Sequence, residues 1–346
     1  MVHLWVRAEQ RPNEERVGLT PDGAARLIAQ GFRVTIEDSP ARALPLQPYL
    51  DAGCVAAPYA SWPAAPAEAI IFGLKELPDD GTPLRHRHIL FGHAYKGQPD
   101  GPALLARFQA GGGTLYDLES LVDETGRRVA AFGYWAGFAG AGVSVLAWTA
   151  QQAGGICPPV SRWADQGAMI ADLAARLGDN RPRALIIGAL GRVGTGTTDL
   201  CAALGLPVTR WDLAETASGG PFPQVLQHDL FFNCILARPG CPVFVPADAG
   251  GRPRALTVIG DIACDPGSAY NPVPVYDRAT DWAHPVVRVH ATPPLDVMAI
   301  DNLPSLLPVE SSQDFAAQLL PHLQGLDRLD QGVWARAEAE FRRFTR

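Results

Sequence analysis

The chain has 346 residues, a formal net charge of −7, 47% hydrophobic residues and 19% charged residues. This length favours two domains, and the composition is typical of a chain that folds around buried cores rather than of a disordered one. The acidic balance provides no basic surface for nucleic acid.

The amino terminus and the cysteines favour a cytoplasmic protein. The first residues, Met1 to Trp5, lack the layout of a signal peptide. The six cysteines include no CxxC pair, so we expect them to be reduced and mostly to act as small buried hydrophobic side chains. Histidine and cysteine are too scattered along the chain for a zinc site, and we expect no metal.

The first third of the chain alternates predicted strands and helices. Thr20 and Pro21 provide an N-cap and a first-turn proline for a helix that ends at Gly31. The apolar runs suited to strands, at spacings typical of crossover units, are residues 4–6, 32–36, 69–74, 89–92 and 114–116. We therefore predict an α/β domain without a dinucleotide-binding fingerprint.

Three polar residues are candidates for chemistry in this domain. Arg16 precedes the first helix, Lys75 follows the run 69–74, and His93 follows the run 89–92. In a parallel sheet these two runs would end at one edge, where α/β sites gather. A guanidinium can bind both oxygens of a carboxylate, and Lys or His can carry protons near neutral pH. Each residue alone is more often a solvated charge or a core histidine.

A long uncharged segment follows Arg127 and Arg128. Residues 129–160 contain no Asp, Glu, Lys or Arg, yet glycines interrupt them and strong apolar runs are missing. Residues 134–152 therefore predict a buried helix between domains rather than a membrane span. The two arginines are equally consistent with binding a carboxylate or the cofactor phosphates and with the polar end of a loop.

The segment 184–212 predicts a dinucleotide-binding unit. An apolar strand ends in Gly188, Gly191 and Gly194, and a helix and a second strand follow, the latter ending in Asp212. Such glycines let backbone N–H groups approach a pyrophosphate at the positive end of a helix. The spacing GxxGxxG departs from GxGxxG, so an ordinary βαβ turn is the alternative. Asp212 would bind a ribose 2′-hydroxyl and repel a 2′-phosphate, which predicts NAD rather than NADP.

Further strands are predicted at residues 230–232, 256–259 and 286–289, and an amphipathic helix at 333–344. The predicted fold class is α/β, with two Rossmann-like domains whose parallel sheets surround an interdomain cleft. Residues 1–132 and 309–346 would form the substrate and catalytic domain, and residues 133–308 the NAD-binding domain.

Several motifs resemble those of one enzyme family. They include Gly-Leu-Lys-Glu at 73–76, His-Ala-Tyr-Lys at 93–96, Gly-Thr-Leu-Tyr-Asp-Leu-Glu at 113–119, Gly-Arg-Arg-Val-Ala-Ala-Phe-Gly at 126–133 and Gly-Gly-Pro-Phe at 219–222. In this order they resemble saccharopine dehydrogenase of the NAD-dependent, L-lysine-forming type, within the alanine dehydrogenase and transhydrogenase-like superfamily. The resemblance implies an oxidoreductase that reversibly converts saccharopine into L-lysine and 2-oxoglutarate.

The resemblance also implies residue roles. Lys75 would accept the proton of the substrate's secondary amine, and His93 would act as acid and base during water addition and imine collapse. The residues matching substrate-binding positions are Arg16, Lys75, Gln98, Arg128, Phe132, Ala263, Cys264 and Asp265. Those matching cofactor positions, with Gly188 added from the glycine loop, are Arg127, Gly191, Arg192, Asp212, Thr216, Ile262, Ile300, Asp301, Asn302 and Leu303.

Two other functions stay open. The run Asp-Asn-Leu-Pro at 301–304 resembles alanine dehydrogenase, which makes that enzyme or another opine-type amino-acid dehydrogenase the alternative. A non-catalytic NAD-binding protein is the third interpretation. Against it argues the joint presence of four candidate residues, Arg16, Lys75, His93 and Asp212. We expect small-molecule partners, no nucleic acid, no membrane, and a monomer in preference to a homo-oligomer.

Overall fold

The computed structural model describes residues 1–95 and 100–345. The chain divides into two compact units, one formed by Met1–Ala131 with Pro308–Arg346 and the other by Phe132–Leu307. Each unit contains one six-stranded sheet.

The sheet of the first unit is parallel, in the order β3-β2-β1-β4-β5-β6. Its strands are β1 (His3–Val6), β2 (Arg33–Glu37), β3 (Val55–Ala57), β4 (Ile70–Phe72), β5 (Arg87–Leu90) and β6 (Thr114–Asp117). The helices between them are α1 (Pro21–Ala29), α2 (Gln47–Asp51) and α3 (Gly101–Gly111). The chain order reverses between β1 and β4, and ligands of open α/β sheets bind at the carboxyl edge beside such a reversal.

The start of α1 shows how local sequence produces this fold. The Thr20 hydroxyl accepts a hydrogen bond from the backbone N–H of Gly23 at 3.1 Å, and Pro21 occupies the first turn. Both features satisfy or remove donors that a helix start leaves unpaired. The predicted helix start is thereby confirmed.

The second unit begins with helices and continues as a second wound sheet. Its helices are α4 (Gly133–Gln152), α5 (Gln166–Leu177), α6 (Arg192–Ala203) and α7 (Leu213–Thr216). Its strands are β7 (Ala184–Ile187), β8 (Val208–Trp211), β9 (Leu230–Asn233), β10 (Val258–Asp261), β11 (Val287–His290) and β12 (Leu295–Met298). The order is β11-β12-β10-β9-β7-β8.

One edge of this sheet departs from the predicted parallel arrangement. β11 pairs with β12 in the antiparallel direction, whereas the other pairs are parallel. Only residues 291–294 connect these two strands, and so short a connection can join only antiparallel neighbours. β12 lies outside the predicted strands because Asp296 interrupts its apolar run. That carboxylate is fully buried and pairs with Arg288 at 2.8 Å.

The uncharged helix α4 is buried through most of its length within the second unit. Its small residues allow close packing on α6, because a Cβ on Gly137 would lie 1.9 Å from the carbonyl oxygen of Val193. In the part of the chain that the structure describes, no helix has the length and apolar character needed to cross a membrane.

The last two helices, α8 (Pro308–Leu323) and α9 (Gly332–Phe344), belong to the first unit. The predicted amphipathic character of the C-terminal helix is confirmed, since Val333, Trp334, Ala337 and Phe341 are buried at helical spacing. The Trp334 ring packs edge-on against Tyr116 of β6 with centroids 5.7 Å apart. The helix thereby covers the strand that carries part of the candidate site.

Candidate functional site

The carboxyl edge of the first sheet assembles the candidate proton-transfer groups. β4, β5 and β6 are parallel neighbours in that order, so residues that follow these strands lie along one edge. Lys75 follows β4, His93 follows β5, and Glu119 follows β6. Lys75 and His93 are close enough for the charge of the lysine to oppose protonation of the imidazole.

Arg16 forms a buried ion pair with Glu14 in the loop before α1. The side chains are 3% and 0% exposed. Two nitrogens of the guanidinium, Nε and Nη2, donate to the two carboxylate oxygens at 2.8 and 2.6 Å. Burial opposes ionisation of Glu14, but the charge and hydrogen bonds of Arg16 outweigh it, and the pKa of Glu14 is lowered. This two-point contact fixes the orientation of the guanidinium.

Lys75 is a partly buried amine near this ion pair. Burial lowers the pKa of Lys75 and the positive charge of Arg16 lowers it further, against the opposing charge of Glu14. The backbone at this position is anchored, because the Glu9 carboxylate accepts the N–H groups of Leu74 and Lys75 at 2.6 and 3.0 Å. An amine with a lowered pKa can give up or accept a proton closer to neutral pH.

His93 pairs with Glu119 across the ends of β5 and β6. The imidazole Nδ1 lies 3.1 Å from Oε2 of Glu119, and the histidine side chain is 41% exposed. The hydrogen bond that the imidazole donates to Glu119 raises the pKa of His93 against the effect of burial. The backbone of His93 is in the left-handed region at φ 48°, a strained conformation that for residues other than glycine concentrates at functional sites.

The carboxyl edge of the second sheet brings the predicted cofactor residues together. β8, β7, β9, β10 and β12 are parallel neighbours in that order. The glycine loop follows β7, Asp212 follows β8, Ile262 follows β10, and residues 300–303 follow β12. The edge therefore collects groups that are up to about a hundred residues apart in the chain.

The glycine loop fits a dinucleotide phosphate. Gly188 has a φ of 88°, which favours glycine. A Cβ on Gly194 would lie 2.1 Å from the carbonyl oxygen of Gly188, so only glycine permits the loop to close on the helix start. Gly191 is the N-cap of α6, and the nearest atom to a Cβ placed there would be 3.6 Å away. Leu190 and Gly191 are exposed, so the positive end of α6 is accessible to an anion.

Asp212 connects the end of β8 to this loop. Its Oδ2 accepts the N–H of Leu190 at 3.0 Å, and its Oδ1 accepts the N–H of Leu213 at 2.9 Å. Each carboxylate oxygen can accept a further hydrogen bond. The carboxylate and the glycine loop are therefore a donor and acceptor set that fits the ribose and pyrophosphate of NAD.

Other predicted cofactor residues have structural contacts of their own. The Thr216 hydroxyl donates to the carbonyl oxygen of Asp212 at 2.9 Å. Ile300 and Leu303 are buried at 2% and 1% exposure. Ile262 is buried in the same way, whereas Asp301 is exposed and Arg192 and Asn302 are partly exposed.

The predicted substrate residues belong to both units. Arg16, Lys75 and Arg128 lie in the first unit, and Phe132, Ala263, Cys264 and Asp265 lie in the second. Gln98 lies outside the described residues. Cys264 has a φ of 49°, and its Sγ donates to the carbonyl oxygen of Ala299 at 3.0 Å.

Arg127 and Arg128 lie on an exposed turn of the first unit. The carboxylate of Asp123 closes this turn by accepting the N–H groups of Thr125 and Arg127 at 2.9 and 3.0 Å. The turn gives the two arginines a defined backbone, whichever ligand they bind. Over residues 1–95 and 100–345, no group of three or more His, Cys, Asp or Glu side chains could hold a metal ion.

Three carboxylates at the first edge, Glu9, Glu14 and Glu119, are absent from the predicted site residues. Glu9 and Glu119 each follow a predicted strand within three residues. The rule that selected Lys75 and His93 would therefore have selected these two as well. Glu14 gives a weaker signal, namely a carboxylate two residues before a candidate arginine.

Comparisons with known proteins identify others that share this architecture. Residues 5–139 match the family model described as alanine dehydrogenase/PNT, N-terminal domain. A solved L-alanine dehydrogenase covers 98% of this chain and 94% of its own, with a TM-score of 0.69 and 20% identity. A transhydrogenase from Sinorhizobium meliloti covers 95% of both chains, with a TM-score of 0.62 and 18% identity. These likenesses confirm the predicted α/β fold with two Rossmann-like domains.

Curated relatives are similar over nearly the whole chain. The chain is 45% identical to saccharopine dehydrogenase [NAD(+), L-lysine-forming] of Yarrowia lipolytica, over 98% of this chain and 96% of the relative. It is 43% identical to the Schizosaccharomyces pombe protein of the same name, over 97% of this chain and 96% of the relative. The resemblance found in the motifs is thereby confirmed, and the chain belongs to the family of NAD-dependent, L-lysine-forming saccharopine dehydrogenases.

Proposed function

We propose that this chain oxidises saccharopine with NAD and hydrolyses the product to L-lysine and 2-oxoglutarate, in a reversible reaction. The similarity to relatives of that name, over 97% and 98% of the chain, carries the proposal. The arrangement of Lys75 and His93 on one sheet edge supports it, because the reaction needs proton transfer at an amine and at water.

Substrate binding requires cationic groups, since saccharopine has three carboxylates. Arg16 is suited to one of them because a planar guanidinium can bind both oxygens of a carboxylate. Arg128 would bind another carboxylate. The partner Glu14 keeps the guanidinium of Arg16 in one orientation before substrate arrives, which reduces the entropy lost on binding.

NAD would be held by the second unit. The N–H groups at the start of α6, beside Gly188 and Gly191, would bind the pyrophosphate, and Asp212 would bind the adenosine ribose. When bound, NAD would supply the acceptor for the hydride that leaves the carbon bearing the substrate's amine.

Lys75 and His93 would perform the proton transfers. The Nζ atom of Lys75 would accept the proton of the secondary amine as that amine is oxidised to an imine. The Nε2 atom of His93 would then take a proton from the attacking water and return it to the departing lysine nitrogen. The pKa of Lys75 is lowered and the pKa of His93 is raised. The lowered pKa favours the neutral amine, which can accept a proton, and the raised pKa favours the protonated imidazole, which can donate one.

The test is an assay of NADH oxidation with paired substrates. L-Lysine with 2-oxoglutarate should be consumed, whereas ammonia with pyruvate should not. The second pair tests the alternative that the run Asp-Asn-Leu-Pro at 301–304 favours, alanine dehydrogenase. Turnover of ammonia with pyruvate alone would replace the proposed function, and turnover of neither pair in a folded, NAD-binding protein would favour a non-catalytic role.

The variants Lys75→Met and His93→Gln identify the proton-transfer groups within this assay. Each should lower turnover by about 10²-fold or more, the usual scale for losing a positioned acid or base. We also expect a monomer located in the cytoplasm. Sedimentation of the purified protein and fractionation of cells that express it test these two expectations.

A further inference from the structure

Asp117 is a buried carboxylate that the proposed reaction does not use. It ends β6 and is 1% exposed. Its Oδ1 accepts the backbone N–H of Gly92 at 3.2 Å and the backbone N–H of Glu119 at 2.9 Å. Gly92 immediately precedes His93, and Glu119 is the hydrogen-bond partner of that histidine. One oxygen therefore joins the two loops that carry the pair.

The sheet register makes this bridge possible. Leu90 of β5 pairs with Asp117 of β6, so the chain that leaves β5 passes beside the carboxylate. A Cβ on Gly92 would lie 2.8 Å from a methyl carbon of Leu115 and 3.3 Å from Oδ2 of Asp117. The glycine thus allows the His93 loop to approach the carboxylate closely.

The second carboxylate oxygen of Asp117, Oδ2, indicates that this residue does more than connect the two loops. A bridge between two N–H groups needs a single acceptor atom. Within residues 1–95 and 100–345, however, Oδ2 of Asp117 is buried without a hydrogen-bond partner. Burying such an atom costs free energy, and an asparagine would form the bridge without that charge. What the carboxylate adds is a negative charge beside His93.

We propose that Asp117 is a positioning residue, which holds His93 and Glu119 at hydrogen-bond distance and whose charge favours the protonated imidazole. The proposal rests on the proposed function only for the role of His93 in turnover. The bridge and its effect on the histidine are properties of the protein without ligands.

The charged groups around His93 agree with this role. The hydrogen bond that His93 donates to Glu119 is the largest cause of the raised pKa of His93. Burial and the charge of Lys75 oppose this increase, whereas the charges of Glu119 and Asp117 support it. Burial raises the pKa of Asp117, whereas its two backbone hydrogen bonds and His93 favour the ionised form. Burial also raises the pKa of Tyr95, and the charge of Asp117 adds to that. The tyrosine is therefore neutral and does not compete with the imidazole for a proton.

Two substitutions test separately the hydrogen-bond bridge formed by Asp117 and the negative charge of its carboxylate. Asp117→Asn keeps an oxygen that can accept both N–H groups and removes the charge. Asp117→Ala removes the bridge as well. Asp229→Asn is the matched control, because that carboxylate also accepts a backbone N–H, from Arg183 at 2.7 Å, but lies in the second unit.

The first measurement is an NMR titration of the histidines in the protein without ligands. The loss of a signal in His93→Gln assigns the resonance of His93. We expect Asp117→Asn to lower its titration midpoint by about 0.5 pH unit or more, because a nearby negative charge is lost. Asp229→Asn should leave the midpoint unchanged. An unchanged midpoint in Asp117→Asn overturns the proposed charge effect, whether or not the protein turns over saccharopine.

The second measurement is steady-state kinetics. Asp117→Ala should lower kcat about tenfold or more, because a misplaced acid or base loses its alignment, while the KM for NADH changes less than about twofold. Asp117→Asn should recover most of that kcat, with the His93 limb of the pH profile displaced to lower pH. A kcat of Asp117→Ala equal to that of Asp229→Asn overturns the bridge. If Asp117→Ala does not fold, the midpoint and the pH profile of Asp117→Asn decide the proposal.

Discussion

His93 and Glu119 are held by different strands, yet their side chains meet with Nδ1 3.1 Å from Oε2. The contact exists because β5 and β6 are parallel neighbours, which places the residues that follow them at the same edge. A carboxylate on Nδ1 stabilises the imidazolium and orients the ring, and this leaves Nε2 as the nitrogen for proton transfer.

The first prediction removes this carboxylate charge. Glu119→Gln should lower the pKa of His93, because the hydrogen bond that the imidazole donates to the carboxylate is the largest cause of its increase. The limb of the kcat/KM profile that reports His93 should therefore move to lower pH. Glu124→Gln, on the exposed turn of the same unit, is the matched control and should leave the limb in place. A displaced limb in both variants, or in neither, would refute the assignment.

The candidate groups at strand ends could be predicted from the sequence because the signals are local. Lys75 and His93 directly follow apolar runs, and Gly188 follows the run 184–187, which is observed as a strand with the same bounds. The contacts between these ends could not be predicted in the same way. The pairing of His93 with Glu119 depends on which strands become neighbours, and no local sequence pattern predicts the order of strands in the sheet.

Some features of the fold depend on polar contacts between residues that are far apart in the sequence. Asp296 interrupts an apolar run and so conceals β12, but Arg288 on β11 pairs with it at 2.8 Å in the fold. The tether between Asp212 and the N–H of Leu190 similarly depends on β7 and β8 being neighbours. In both cases the carboxylate is paired with a residue that sequence periodicity does not connect to it.

The second prediction concerns the choice between NAD and NADP. Asp212→Ser removes the charge and shortens the side chain that holds the glycine loop. It should therefore weaken NAD binding and reduce the preference for NAD over NADP. Asp212→Asn can retain the tether to Leu190 and removes only the charge. It should therefore retain more NAD binding than the serine variant while losing a similar part of the discrimination. Binding constants for both nucleotides test this, and equal use of NAD and NADP by the unmodified protein would contradict it.

The third prediction concerns the buried ion pair of Arg16 and Glu14. Arg16→Met should lower the free energy of unfolding by about 3–5 kcal/mol, because it removes the guanidinium charge that pairs with the buried Glu14 carboxylate. The double variant Arg16→Met/Glu14→Leu should be less destabilised, since no charge then remains buried. Denaturant unfolding of both variants and of Glu14→Leu gives the coupling. Additive effects would show that the two side chains are energetically independent.

The last prediction concerns His88, which lies in β5 and is fully buried between Trp62 and Phe108. In the part of the chain that the structure describes, neither ring nitrogen has a hydrogen-bond partner. Burial is the main cause that keeps the pKa of His88 well below its ordinary value of 6.5, and the charge of Arg7 adds to it. The imidazole is therefore neutral in the folded protein and leaves a polar N–H unpaired.

The buried neutral imidazole of His88 makes the stability of the folded protein sensitive to acid. Below pH 6.5 the unfolded chain binds a proton at His88 and the folded chain does not, so stability falls as the pH decreases below that value. His88→Leu should weaken this dependence and stabilise the protein by about 1 kcal/mol at neutral pH, because an unpaired polar group is replaced by an apolar one. Denaturant unfolding at pH 7.5 and pH 5.5 measures both effects. His284→Leu, at a side chain that is 84% exposed, is the control and should keep the acid dependence. An acid dependence equally steep in His88→Leu would show that other groups cause it.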